Sequence, residues 1–311
     1  MTSVRRLLAK YSISPTKRLG QHFLIDRGIM MAVIRAAEVN SRDTVVEVGP
    51  GLGEMTMLLA SRAKRVIAIE VDESMVALLK DRLAEYDNIV LHRGDALKFD
   101  FLGESRKWGK KLKVVSNLPY NISTQILFHL VEMREAFSAM TLMFQREVAE
   151  RIVAVPGGRQ YGVLSVLAQL YCDALIRCIV SPSSFYPRPK VESAVVGFTF
   201  LQEPRVKIED EAMFRRVVKA SFGHRRKTLK NALKNGCFFK GEPGEIEVHL
   251  RAAGIDPTRR GETLTLEEFA SLTLVMSKGM ASRDTSMEGN SGNRPKSTKA
   301  KGQGSTQGPP R

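Results

Sequence analysis

Residues 45–53, Val-Val-Glu-Val-Gly-Pro-Gly-Leu-Gly, pass from a β-branched run directly into a helical one. Glycine lets the backbone turn tightly and lets another group approach the main chain. A strand that turns through glycines into a helix is the opening unit of a sheet with crossover helices. The segment from Asp43 to about Phe200 repeats the alternation. It predicts strands over 44–48, 65–69, 88–91, 112–116, 139–144, 174–180 and 193–200. Between them it predicts helices over 54–62, 73–83, 123–133, 147–154 and 162–171. The expected fold class is α/β and Rossmann-like: a doubly wound, seven-stranded, mostly parallel sheet with helices on both faces. In such sheets ligands collect at the carboxyl ends of the strands.

Near Glu203-Pro204 the pattern changes. Only helical stretches follow, over 211–221, 226–235, 246–253 and 266–276. Thr265-Leu266-Glu267-Glu268 fits a capping box opening the last one. The expected division is therefore an α/β domain with a basic N-terminal arm over 1–203, a small all-α domain over 204–276, and a tail over 277–311. The tail is rich in Ser, Gly, Lys and Pro and nearly free of large apolar residues, a composition of disorder.

The glycine loop has two readings. A dinucleotide fingerprint, G-x-G-x-x-G counted from Gly49, needs glycine at position 54, which is Glu54. An acid opening the helix also opposes a pyrophosphate there. A ligand without phosphates, such as S-adenosylmethionine, suits Gly49 and Gly51 better. Glu47 can meet its cationic aminoacyl end, directly or through water. Glu70 ends the second strand, where a carboxylate can accept both ribose hydroxyls. Asp95 follows the third strand and can bind the adenine amine. Taken singly, Glu70 can be a surface acid and Asp95 a helix cap; in order, Glu47, Gly49, Glu70 and Asp95 describe a cofactor site.

Asn117-Leu118-Pro119-Tyr120 follows the fourth strand. Alone it reads as a plain turn. Behind a cofactor-type sheet it reads as chemistry on an exocyclic amine. The lone pair of adenine N6 is delocalised into the ring, so acceptors that draw the amine toward tetrahedral geometry activate it without a strong base. The Asn117 side-chain oxygen and a carbonyl around Leu118–Pro119 can do that. Tyr120 offers a face for an unstacked base. A sulfonium methyl then needs only in-line placement. In Phe185-Tyr186-Pro187-Arg188-Pro189-Lys190, Phe185 can cover the other face of the base, and Arg188 and Lys190 can hold phosphates. The alternative there is a rigid edge loop with incidental aromatics.

The formal charge is +15, from 48 basic and 33 acidic residues, which favours polyanionic partners. Between 215 and 240 there are nine Lys/Arg and no acid. A charge run is often only a solvated helix face. Beside an adenine-modifying site it is better read as a phosphate-binding face on which Arg225, Arg226 and Lys227 position RNA without reading its sequence. Cys172, Cys178 and Cys237 show no C-x-x-C spacing, which fits free thiols in a reducing cytoplasm and no metal. No apolar run is long enough for a membrane span, and the N-terminus has no apolar signal core.

At these residues the chain resembles the small-subunit ribosomal RNA adenine dimethyltransferases, the KsgA family. The resemblance rests on Arg18-Leu19-Gly20-Gln21-His22-Phe23-Leu24, on the glycine loop, on Asn117–Tyr120 with Asn121-Ile122-Ser123, on the stretch from Phe185 to Ser193, and on Ser221-Phe222-Gly223-His224-Arg225-Arg226-Lys227-Thr228-Leu229. It implies transfer of methyl groups from S-adenosylmethionine to N6 of two adjacent adenosines near the 3′ end of 16S rRNA. It implies cofactor contacts at His22, Leu24, Gly49, Glu70, Asp95 and Asn117. The partner expected from it is 16S rRNA in the immature 30S subunit, met by a cytoplasmic monomer. Three rivals remain at this level: an adenine methyltransferase acting on large-subunit RNA or DNA, an assembly checkpoint protein, and an NAD oxidoreductase, which Glu54 disfavours.

Overall fold

The computed structural model describes residues 2–15, 20–224, 226–236 and 244–288. Arg225, Cys237, Lys240, the Arg18-Leu19 start of the first motif and the tail beyond Glu288 lie outside the described residues. The N-terminal half contains, in order, α1 (Thr2–Lys10), β1 (Phe23–Leu24), α2 (Arg27–Ala36), β2 (Thr44–Val48), α3 (Glu54–Ala60), β3 (Arg65–Glu70), α4 (Glu73–Arg82), β4 (Ile89–Arg93), α5 (Phe101–Lys107) and β5 (Leu112–Asn117). There follow α6 (Ser123–Glu132), β6 (Phe137–Gln145), α7 (Arg146–Val153), α8 (Val163–Gln169), β7 (Cys172–Val180), β8 (Phe185–Tyr186) and β9 (Ser193–Phe200). The chain continues with α9 (Glu211–Phe222), α10 (Leu229–Asn235), α11 (Glu245–Ala252) and α12 (Leu266–Glu288).

The expected seven strands form one sheet in the order β4-β3-β2-β5-β6-β9-β7. Strands β2 to β6 pair in parallel, and β9 runs antiparallel to both β6 and β7. β2 is buried throughout, as a central parallel strand covered on both faces must be. The order reverses at β2, where β3 lies on one side and β5 on the other. That switch point opens a crevice at the carboxyl ends of β2 and β5.

The minor elements carry weaker signals in the sequence. β1 and β8 pair antiparallel as a two-residue ribbon, Phe23 with Tyr186 and Leu24 with Phe185. It ties the N-terminal arm to the loop before β9. α2 is capped by Asp26 and buries Met30, Val33 and Ile34 at helical spacing. α1 places Leu8 in a cluster with Phe23, Leu52 and Leu79.

The helical region does not own a separate core. Phe214, Val217, Leu233 and Phe269 share one buried cluster with Phe144, Tyr161 and Phe198 of the α/β part. The anticipated capping box is present: the Thr265 amide donates to Glu268 at 2.9 Å and the Glu268 amide to Thr265 Oγ1 at 3.3 Å. The expected helix end at Met276 is corrected, because α12 continues to Glu288. Within that extension, Gly279 lets α12 pass close to α11, since a Cβ there would stand 2.5 Å from His249 Nε2. No helix among the described residues is long and apolar enough to cross a membrane.

Candidate active site

The glycine loop leaves β2 and is tied to β3 by the Gly49 amide, which donates to the Ile69 carbonyl at 2.9 Å. Gly49 has φ +67° and Gly53, which caps α3, has φ +80°. Both are left-handed positions that a side chain would strain. The loop forms one wall of a cleft of about 860 Å³, solvent-open mouth included. Most of the anticipated residues line it: His22, Leu24, Glu47, Gly49, Gly51, Glu70, Asn117, Leu118, Pro119 and Tyr120. They arrive from the N-terminal arm and from the ends of β2, β3 and β5.

The cleft is lined by acids. Among the described residues its lining includes Glu47, Glu54 and Glu70 and no lysine or arginine. Glu54 is balanced by Arg82 from α4 at 2.7 Å. Glu47 is buried, and the Thr56 hydroxyl donates to its Oε2 at 2.6 Å. Burial pushes its carboxyl up to about 8, with the charge of Glu70 adding to the rise and the Thr56 bond opposing it. Glu70 accepts the Val71 and Asp72 amides through Oε1, each at 2.9 Å. Burial raises it to about 7 against those amide bonds. Buried carboxylates without a counter-cation favour a ligand that brings positive charge. A pyrophosphate brings only negative charge to these acids, which counts against the NAD reading.

Asn117 ends β5 with its side chain oriented by the arm. Its Nδ2 donates to the His22 carbonyl at 3.0 Å. A carbonyl can only accept, so the amino end must face it and the oxygen must face away. That Oδ1 is buried and has no hydrogen-bond partner. An orphaned acceptor in a cleft marks a place where a donor is meant to arrive. The Pro119 carbonyl already accepts the Ile122 amide at 3.2 Å. The Tyr120 ring lies 5.4 Å from the His22 ring, and its hydroxyl bonds the Ser193 hydroxyl. His22 is itself held, its Nδ1 donating to the Pro187 carbonyl at 2.8 Å.

Two expected positions fall elsewhere. Phe185 is completely buried and packs with Leu24, Met30 and Val195. The reading of Phe185 as a cover for the base is therefore corrected: β8 turns its ring into the core and turns Tyr186 to the opposite face. Asp95 does not line the cleft; one of its oxygens caps the Leu97 amide at 2.9 Å. Arg188 and Lys190 sit on the loop after the ribbon, where both are exposed and the intervening Pro189 is buried. Sequence reasoning misses Thr56, although a polar residue on the buried side of a helix that follows Glu47 is a signal. Val71, exposed beside Glu70, escapes it as well, and Ser193 enters it only as the end of a motif, with no role assigned.

The basic run divides on folding. Arg215 bonds Glu132 at 2.8 Å and Lys230 bonds Glu247 at 2.6 Å. Lys219, Arg226, Lys227 and Lys234 are exposed. The uninterrupted run in sequence is thus a mixture of structural and outward-facing cations.

A family profile described as ribosomal RNA adenine dimethylase matches residues 14–278. The chain is 45% identical over 275 residues to the ribosomal RNA small subunit methyltransferase A of Syntrophus aciditrophicus (strain SB), a match covering 88% of this chain and 98% of the relative. It is 47% identical over 277 residues to the protein of the same description from Moorella thermoacetica, covering 87% and 95% respectively. Among solved structures it is similar to a dimethyladenosine transferase from Plasmodium falciparum, with a TM-score of 0.69 and 28% identity, covering 83% of this chain and 98% of that one.

Proposed function

The chain belongs to the ribosomal RNA adenine dimethylase family, and from that membership we propose that it carries methyl groups from S-adenosylmethionine to N6 of adenosine in 16S rRNA, twice on each of two adjacent adenosines near the 3′ end. The observation that carries the chemistry is the buried, unpartnered Asn117 Oδ1 at the end of β5.

S-adenosylmethionine supplies a methyl group on a sulfonium, a leaving group that needs no activation. Glu47 and Glu70 supply the negative charge that receives the ligand's positive end and its ribose hydroxyls. Asp95 stands outside the cleft lining with one oxygen committed to Leu97, and its other oxygen would take the adenine amine where the cofactor extends past the end of β4. At the target base, Asn117 Oδ1 accepts one N6 proton. The Leu118 carbonyl accepts the other, since the Pro119 carbonyl is engaged by Ile122. Two acceptors draw the nitrogen out of conjugation and aim its lone pair at the methyl group. Tyr120 stacks on the extruded base. The bound cofactor would supply the methyl group and keep the S–C electron pair, and the N6 proton held by Asn117 Oδ1 or the Leu118 carbonyl passes to solvent. A monomethylated amine keeps one proton for these acceptors to hold, so the same site serves the second transfer.

The substrate form is the immature 30S subunit, met by a monomer in the cytoplasm. Arg188, Lys190, Arg226 and Lys227 meet phosphates, together with Arg225. The test is mass spectrometry of 16S rRNA fragments after immature subunits are incubated with the protein and labelled cofactor. Label on two neighbouring adenosines near the 3′ end is expected. Label on another base, or none, rejects the proposal.

A further inference from the structure

Ser193 is the first residue of β9 and is completely buried. It pairs with Gln145 of β6 on one side and Val180 of β7 on the other. A residue paired on both sides in a seven-stranded sheet has little freedom to move. β9 runs antiparallel to β6, so its first residue stands at the edge where the parallel strands end. Asn117 pairs with Met143, and Ser193 pairs with Gln145, two positions further along the same strand. The sheet therefore brings an internal hydroxyl beside the loop that follows β5.

That hydroxyl bonds the hydroxyl of Tyr120. The rest of the tetrapeptide is fixed by other means. Asn117 is held by the His22 carbonyl, and the turn is closed by the Ile122 amide on Pro119. The Tyr120 ring leans on the His22 ring at a 31° tilt, a contact that restrains it weakly. The hydroxyl bond fixes the far end of the ring to the sheet.

We propose that Ser193 is a positioning residue for methyl transfer: it anchors the Tyr120 hydroxyl to the first residue of β9 and holds the ring as a fixed platform for the flipped adenine. The inference rests on the reading of Tyr120 as the stacking face. Burial raises the Tyr120 phenol above its ordinary value, so it remains a donor across the working range. A ring held at one end loses less freedom when a base stacks on it, and the target nitrogen arrives closer to the line of transfer.

The test is a double-mutant cycle in the full-length protein with immature 30S subunits. Ser193→Ala and Tyr120→Phe are each expected to slow single-turnover transfer about tenfold, the worth of one hydrogen bond. The double variant should be no slower than either single one. Ser193→Thr, which keeps the hydroxyl, should recover most of the rate. 2-Aminopurine at the target position should report a less stacked base in Ser193→Ala, while S-adenosylhomocysteine binding and the melting temperature stay near wild type. Multiplicative losses in the double variant overturn the proposal, as does a full rate in Ser193→Ala. Should Ser193→Ala melt early, the comparison of Tyr120→Phe with Ser193→Thr carries the test: a full rate in Tyr120→Phe overturns it. Tyr120→Ala separates the two levels. If it transfers at the wild-type rate, the stacking reading itself fails. If it is inactive while Ser193→Ala is fully active, only the anchoring role fails.

Discussion

At the scale of single residues, the cleft is defined by groups whose needs the protein leaves unmet. Asn117 Oδ1 has no partner, and Glu47 has a hydroxyl where a cation would be expected. Removing the first need should remove the chemistry. Asn117→Ala is expected to lower single-turnover transfer about 100- to 1,000-fold, the usual worth of one preorganised group at the reacting centre. S-adenosylhomocysteine affinity, measured by calorimetry, should fall far less. The second need sets a pH dependence. The Glu47 carboxyl stands at about 8 in the folded protein, well above its ordinary value of 4.5. A raised carboxyl holds its proton more tightly folded than unfolded, so stability is fullest below the ordinary value and falls as pH rises through about 8. Glu70, at about 7, acts in the same sense. A cationic ligand needs the ionised forms, so its affinity should rise between about pH 7 and pH 8 while ligand-free stability falls. Glu47→Gln should flatten both trends, and above the Glu47 value the ligand-free variant should melt higher than wild type. Parallel melting and calorimetry series across pH check this.

At the scale of elements, the glycine loop joins β2 to α3 through a left-handed residue. A Cβ on Gly53 would also stand 3.0 Å from Leu79 Cδ2 of α4. Gly53→Ala is therefore expected to cost about 1–3 kcal/mol through strain at a left-handed position. A denaturant melt measures it; an unchanged midpoint would show that the loop relaxes freely. The elements legible in the sequence are those with a strong period. The β-branched strands and the helices between them carry their own signal in about ten residues or fewer. The ribbon of β1 and β8 does not, because each strand is two residues long and its partner lies far away along the chain. α1 and α5 escape sequence reading because short helices are stabilised mainly by what they pack against. The same blindness accounts for Phe185. Its neighbours Tyr186 and Pro187 suggest an exposed aromatic loop, and only the pairing of Leu24 with Phe185 shows which ring faces the core.

At the scale of the molecule, the helical region and the sheet share one buried cluster. Cutting the chain after residue 203 would uncover Phe144 and Tyr161 and leave Phe214 and Phe269 without partners. The intact protein should melt in a single calorimetric transition, and the 1–203 fragment should lose cooperative melting. Two separate transitions in the intact chain would show independent units. The helical region turns Lys219, Arg226, Lys227 and Lys234 outward, and of these Arg226 and Lys227 are the cations proposed above to meet RNA phosphates. Arg226→Glu together with Lys227→Glu should weaken subunit binding and reduce the salt slope by about one for each phosphate no longer neutralised. Binding and slope measured over a salt series decide it; unchanged values would assign both residues to a solvated face.

Neighbouring residues were enough to specify the α/β alternation, the glycine loop, the acids at the ends of β2 and β3, and the tetrapeptide after β5. These depend on local backbone demands and on strand period, which a short stretch of chain carries in full. Long-range packing settled the rest. It placed His22 against Asn117 across 95 positions and Ser193 against Tyr120 across 73. It turned Phe185 inward, committed one oxygen of Asp95 to a cap, and divided the basic run into paired and outward-facing charges. Each of those outcomes depends on which distant surfaces meet when the sheet closes and the arm lies across its edge, and no local pattern of residues specifies that.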